Sequence, residues 1–255
     1  MKTDYQVHDL WCGEAGKRIY GRLYLPCGVE KPRLAIYAHE IGCTHSRARP
    51  YAEHLAAEGI ALYAPDFRGG GEHCRSEGST LDMSVMTEVE DLGVIMDAAR
   101  GWDFVDGERP VVIGASQGGF VSAIYAGRNP ERVGALILLY PGFVIPYVTK
   151  RENPKLEEVP EKFLLHGWLW VGKRFVRDVW DYDAYAETMN YQGPVLILQG
   201  DRDEIVPMEH VTKAARLYKN ARFVVFPGAG HMYAQEYVDR SLGEIDGFLR
   251  SHGLL

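Results

Sequence analysis

Basic charge is scarce: 28 lysines and arginines stand against 35 aspartates and glutamates, a formal net charge of −7. A binder of phosphate backbones carries a basic face, so nucleic acid is not an expected partner. Cysteine is scarce too. Cys12, Cys27, Cys43 and Cys74 all fall in the first third and form no CxxC pair, which argues against a disulfide framework and for reduced thiols. The nine histidines make no HExxH or comparable cluster, so neither a metal nor another cofactor is expected. No apolar run approaches the roughly 18 residues of a membrane span, and residues 1–6 lack the apolar core of a secretory signal. The expectation is a cytoplasmic protein with no membrane partner. At 255 residues one core, with an insertion at most, is large enough to need no staple.

Short apolar runs bounded by turn residues recur at 34–38, 60–64, 111–113, 135–139, 195–198 and 223–226. Being apolar at successive positions, they suit strands covered on both faces, as in a parallel sheet. Segments of helical spacing lie between them, at 51–58, 85–100, 118–128, 208–218 and 237–250. Strands alternating with helices predict a doubly wound α/β fold. Residues 6–11 and 18–25 instead alternate polar and apolar around Cys12-Gly-Glu-Ala-Gly16, which predicts an antiparallel hairpin at the sheet edge.

One connection is too long. About fifty residues separate Tyr140-Pro-Gly142 from Pro194, whereas a crossover needs about a dozen. The core is therefore expected at 1–142 and 191–255, with 143–190 inserted. Two strands are predicted in the insert, 163–171 and 173–178, turning at Gly172. Trp168, Trp170, Phe175, Trp180, Tyr182 and Tyr185 make it the most aromatic part of the chain. It is either a satellite core or a cap that shapes a substrate pocket, and its place beside the sheet's ligand-binding edge favours the cap.

Val111-Val-Ile-Gly114-Ala-Ser116-Gln-Gly118-Gly places Gly-x-Ser-x-Gly directly between a predicted strand and a predicted helix. That context turns a weak pattern into a strong one: a sharp turn exposes Ser116 Oγ, and the free N–H of Gln117 at the helix start points at any oxyanion formed there. A serine hydroxyl needs a base and an orienting acid. Both follow in order, each just past a predicted strand: Gln199-Gly-Asp201-Arg-Asp203-Glu204 and Pro227-Gly-Ala-Gly-His231. Ligands bind at that edge of an open α/β sheet. His231 is the candidate base. Asp201, Asp203 and Glu204 are neighbours; Asp203 is the preferred acid, and Asp201 can instead cap backbone N–H groups of the turn. The loop His39-Glu-Ile-Gly-Cys43 offers Ile41 N–H as second oxyanion donor, with His39 shaping the loop. Asp66-Phe-Arg-Gly-Gly-Gly71 reads as a turn with unusual backbone angles, since no helix start or Gly-Lys-Ser/Thr follows.

Through Gly114-Ala-Ser-Gln-Gly118, Gly200-Asp-Arg-Asp203-Glu-Ile-Val-Pro207 and Gly228-Ala-Gly-His231 the chain resembles the α/β-hydrolase family over essentially its whole length. Within it, the Ser-Gln-Gly-Gly elbow, the fifty-residue insert and Tyr218-Lys-Asn220 look most like the bacterial cinnamoyl (feruloyl) esterases. The resemblance implies hydrolysis of a small-molecule carboxylic ester by a Ser116, Asp203, His231 triad, with oxyanion donors at Ile41 and Gln117. It also implies a cap whose Trp168, Trp170 and Tyr185 meet an aromatic acyl group. Two positions depart from the pattern. Glu40 stands where the family's His-Gly pair has glycine, which restricts the acyl pocket unless its side chain turns away, and Phe175 stands where related esterases carry a tyrosine. A homodimer is the assembly considered.

Overall fold

The computed structural model describes residues 3–255. Its strands are β1 (Tyr5–Cys12), β2 (Ile19–Pro26), β3 (Arg33–Ala38), β4 (Ala61–Pro65), β5 (Asp106–Ala115), β6 (Ala135–Leu139), β9 (Val195–Gly200) and β10 (Ala221–Phe226) in one sheet, and β7 (Lys162–Leu165) with β8 (Leu169–Gly172) in a separate hairpin. The large sheet runs in the order β1-β2-β4-β3-β5-β6-β9-β10. β1 and β2 are antiparallel, β2 meets β4 antiparallel, and every pairing from β4 to β10 is parallel. The N-terminal hairpin thus lies at the edge, where alternation is allowed, and the continuous apolar runs lie in the covered interior.

The helices are α1 (Arg49–Ala57), α2 (Val85–Arg100), α3 (Gln117–Arg128), α4 (Ile145–Glu152), α5 (Arg174–Arg177), α6 (Met208–Leu217) and α7 (Gln235–Ser251). α2, α3 and α6 bury their apolar stripes on one face of the sheet, α1 and α7 on the other. α2 begins where a capping box forms: Ser84 Oγ accepts the Thr87 N–H at 3.2 Å and Thr87 Oγ1 accepts the Ser84 N–H at 2.8 Å.

The connection from β6 to β9 holds α4, the β7–β8 hairpin and α5, with its own small core of Met83, Leu169, Val171 and Phe175. Here the expectation is corrected. The hairpin turns at His166-Gly167, both in left-handed backbone (φ 50° and 77°), and not at Gly172, while much of 173–178 is helical rather than extended. Asp178 explains the helix: Arg174 reaches it one turn later at 2.9 Å, and Ser84 Oγ donates to it at 2.7 Å.

Candidate active site

Strand β5 ends in a sharp turn at Ser116, whose φ of 52° and ψ of −119° lie far from the regions a serine prefers. The turn has no room for side chains. A Cβ on Gly114 would sit 2.4 Å from the Gly118 carbonyl, and one on Gly118 would sit 2.2 Å from that of Ala38. The result is a serine at the head of α3, 9% exposed, with its hydroxyl free to face outward.

The loop after β10 brings His231 to it. His231 Nε2 lies 2.9 Å from Ser116 Oγ, and Nδ1 lies 2.8 Å from Asp203 Oδ2. Asp203 accepts three further hydrogen bonds, from Ile205 N–H (2.9 Å), Val206 N–H (2.8 Å) and Gln199 Nε2 (3.1 Å). Burial alone would raise its pKa, but these donors and His231 hold it below the usual aspartate range. An acceptor-only carboxylate fixes the proton on Nδ1 and leaves Nε2 to accept from the serine. Asp201 goes elsewhere: its Oδ1 accepts the Gly228 N–H at 2.6 Å, tying the β9 loop to the β10 loop.

Two N–H groups are the candidate oxyanion donors. That of Gln117 opens α3, with no carbonyl four residues earlier in the helix to receive it. That of Ile41 follows β3, in a loop held rigidly: Gly42 N–H donates to Gly70 O at 2.8 Å and Cys43 N–H to Glu40 O at 3.1 Å. His39 shapes the same loop. Its Nε2 accepts the Phe67 N–H at 3.1 Å, so Nδ1 carries the proton and donates to Glu40 O at 2.8 Å; burial lowers its pKa and keeps it neutral. The 66–71 segment is the expected irregular turn, packed under the loop so closely that a Cβ on Gly71 would meet Gly42 O at 2.7 Å.

The insert packs against the loop after β3. Trp168, at the tip of the β7–β8 hairpin, lies on Gly42 with no space for a Cβ between them, and the Ile41 side chain packs on the insert's core. Trp168 and Trp170 are each half exposed, whereas Phe175 is buried within that core. Tyr185 lies in a cleft that Ser116, Asp203 and His231 do not line. It stacks on Phe143 (centroids 5.8 Å, 8°) beneath the Lys213 ammonium (4.0 Å), in a cleft of about 700 Å³ also lined by Tyr147, Trp180 and His210. Glu40 does not enter the space above Ser116: it is 2% exposed, turned toward Arg47 and Tyr140. Arg47, Phe143 and Tyr140 carry no motif, and nothing in the sequence marked them. Among the described residues no group of three or more His, Cys, Asp or Glu is placed to hold a metal, and no helix is long and apolar enough to cross a membrane.

Known proteins can now be set beside this arrangement. The ferulic acid complex of Est1E from Butyrivibrio proteoclasticus superposes with a TM-score of 0.86 at 25% identity, covering 95% of this chain and 98% of that one. WAV2 of Arabidopsis thaliana, an α/β-hydrolase domain-containing protein, is 31% identical over 188 residues; the match takes in 67% of this chain and only about half (54%) of WAV2. A Yersinia pestis protein bearing the name of a carboxymethylenebutenolidase is 23% identical over 250 residues, 91% of this chain and 82% of its own. The family model for prolyl oligopeptidases matches residues 47–252. The chain belongs to the prolyl oligopeptidase family and is a serine hydrolase of the α/β-hydrolase superfamily.

Proposed function

We propose that the protein is a serine carboxylesterase that hydrolyses small aromatic acyl esters of the cinnamoyl or feruloyl type, acting in the cytoplasm. The observation that carries the reading is the unbroken Ser116–His231–Asp203 hydrogen-bond chain under an aromatic insert. The likeness to an esterase solved with ferulic acid supports the acyl class, and four free thiols suit a reducing compartment.

His231 Nε2 takes the Ser116 proton as Oγ adds to the ester carbonyl. The oxyanion is received by the N–H groups of Ile41 and Gln117. Collapse breaks the ester C–O bond, and His231 returns its proton to the departing alkoxide, which leaves as the alcohol. Water then adds to the acyl-enzyme by the same route and releases the acid. Asp203 keeps its charge throughout and holds the imidazolium. The insert, 143–190, acts as the cap: Trp168 and Trp170 on the oxyanion side and Tyr185 on the acid-loop side offer faces for an aromatic acyl group. Phe175 supports the cap from within.

Replacing Ser116 by Ala should lower kcat on methyl ferulate by about 10⁶. Wild-type turnover by that variant would end the proposal. A panel of methyl ferulate, p-nitrophenyl acetate, an acyl-CoA, a butenolide and an aminoacyl amide fixes the class by kcat/KM. The ferulate ester is expected to lead, and leadership by the amide or the butenolide would reassign the substrate.

A further inference from the structure

Immediately after β6, Tyr140 adopts a left-handed backbone (φ 38°) although it is a bulky aromatic residue. Such a conformation is strained and survives only where the surroundings overdetermine it. They do so here: Tyr140 N–H donates to Leu198 O at 2.8 Å, and two residues on Gly142 N–H donates to Ser116 O at 2.8 Å. The ring, 2% exposed, lies edge-on against the imidazole of His231 (centroids 4.8 Å, 64°) and against Tyr233 (4.7 Å, 77°).

The far end of the same side chain is tethered to a buried charge. Tyr140 Oη donates to Glu40 Oε1 at 2.8 Å, and the Arg47 guanidinium reaches that oxygen at 3.3 and 3.4 Å. Glu40 Oε2 has no partner. Burying a carboxylate that is only partly satisfied carries a desolvation cost that its pairing must offset. The fold therefore carries backbone strain and a buried, ion-paired carboxylate at one point, and that point touches His231.

The geometry of His231 supplies a reason. Its two hydrogen bonds, to Ser116 and Asp203, leave from opposite sides of the ring and fix where the nitrogens lie. Tilt about the line joining those nitrogens is left to the attachment of Cβ to its loop and to whatever packs on the ring. A rigid ring packed against the imidazole restrains that tilt. Tyr140 also reaches, through Glu40, the residue next to Ile41, so the brace on the base and the oxyanion loop share one anchor.

We infer that Tyr140 is a positioning residue for His231, locked by buried Glu40 and the partly exposed Arg47 that pairs with it. The inference rests on the esterase reading, in which His231 is the general base. It assigns to Glu40 the support of the base in place of contact with the acyl group.

The test compares Tyr140→Leu, Tyr140→Phe, Glu40→Ala and Glu40→Gln in the full chain, with rates divided by sites titrated with a fluorophosphonate. Tyr140→Leu should lower kcat about tenfold to hundredfold with KM within about threefold, the size of effect that small misplacement of a reacting group produces. Tyr140→Phe, which keeps the ring and loses the tether, should lose less. Glu40→Gln, which keeps an acceptor for Tyr140 Oη, should recover much of what Glu40→Ala loses. A Tyr140→Leu kcat per site within twofold of wild type, or a loss confined to KM, would overturn the inference. If that variant does not fold, equal kcat for Glu40→Ala, Glu40→Gln and wild type overturns it instead. Failure of the esterase reading looks different, because wild-type protein itself would then take no fluorophosphonate at Ser116.

Discussion

Asp201 and Asp203 are two residues apart on one loop, and only their acceptor patterns separate them. Asp203 receives the imidazole N–H together with two backbone N–H groups; Asp201 receives Gly228 N–H alone. Asp203→Asn should therefore lower kcat by about 10⁴, by presenting a donor where Nδ1–H needs an acceptor. Asp201→Asn should leave kcat within a few-fold and cost about 1 kcal/mol of stability, read as a small fall in Tm. The reverse ranking would exchange the two roles. This pair also marks what residue-level reading of the sequence can do. The candidate nucleophile Ser116 and the candidate base His231 follow from a motif and from position after a strand, since both requirements are local. The choice among Asp201, Asp203 and Glu204 depends on which carboxylate points across to a loop 28 positions on, and Tyr140 is legible in no pattern at all: it is one more aromatic at the end of an apolar run.

At the scale of elements, burial on both faces wrote the parallel strands plainly. β6 and residues 195–198 of β9 are apolar at every position because helices cover each side. The insert lacks that redundancy. Its hairpin turns on His-Gly, and histidine in left-handed backbone is less usual than the asparagine or aspartate that announces such a turn, so Gly172 drew the expectation instead. The real turn places Trp168 on the oxyanion loop at Gly42. From this follows a prediction about the hairpin. Trp168→Ala should raise KM for methyl ferulate about threefold to tenfold, the equivalent of one aromatic contact of about 0.5–1.5 kcal/mol. KM for p-nitrophenyl acetate, which has no acyl ring, should stay within about twofold. Steady-state kinetics on the two esters checks it, and equal shifts on both would mean that the hairpin tip supports the oxyanion loop without reading the acyl group.

The stability of the whole molecule depends on carboxylates that the reaction does not use. Glu88, in the first turn of α2, is fully buried beside the Gln117 amide and Asp91, with no cation among the described residues to pair with it. Burial pushes its pKa up to about 8. A carboxyl raised in the folded state stabilises the fold while protonated, and that contribution is lost as pH climbs from the ordinary glutamate range through 8. Full ionisation corresponds to a penalty of several kcal/mol. Asp91, pushed by burial to about 6 although Arg68 pairs with it at 2.5 Å, adds to the lower part of the same slope. Asp66 and Asp203 act in the other direction. Despite burial, their hydrogen bonds hold both below the usual range, so the stability they supply is present above that range and is lost as pH falls through their folded-state values. The molecule should accordingly be most stable in mildly acidic solution, with Tm falling between pH 5 and pH 8.5. Glu88→Gln removes the titration while keeping the volume. Its Tm should be nearly level from pH 6.5 to 8.5 where the wild type drops by about 4–8 °C, since the shift is worth roughly 2 kcal/mol over that range and a chain of this size loses roughly 2–4 °C per kcal/mol. Because the comparison is between slopes, a constant cost of burying the amide does not affect it. Parallel curves for the two proteins would show that Glu88 keeps its ordinary pKa and that the destabilisation at alkaline pH arises elsewhere.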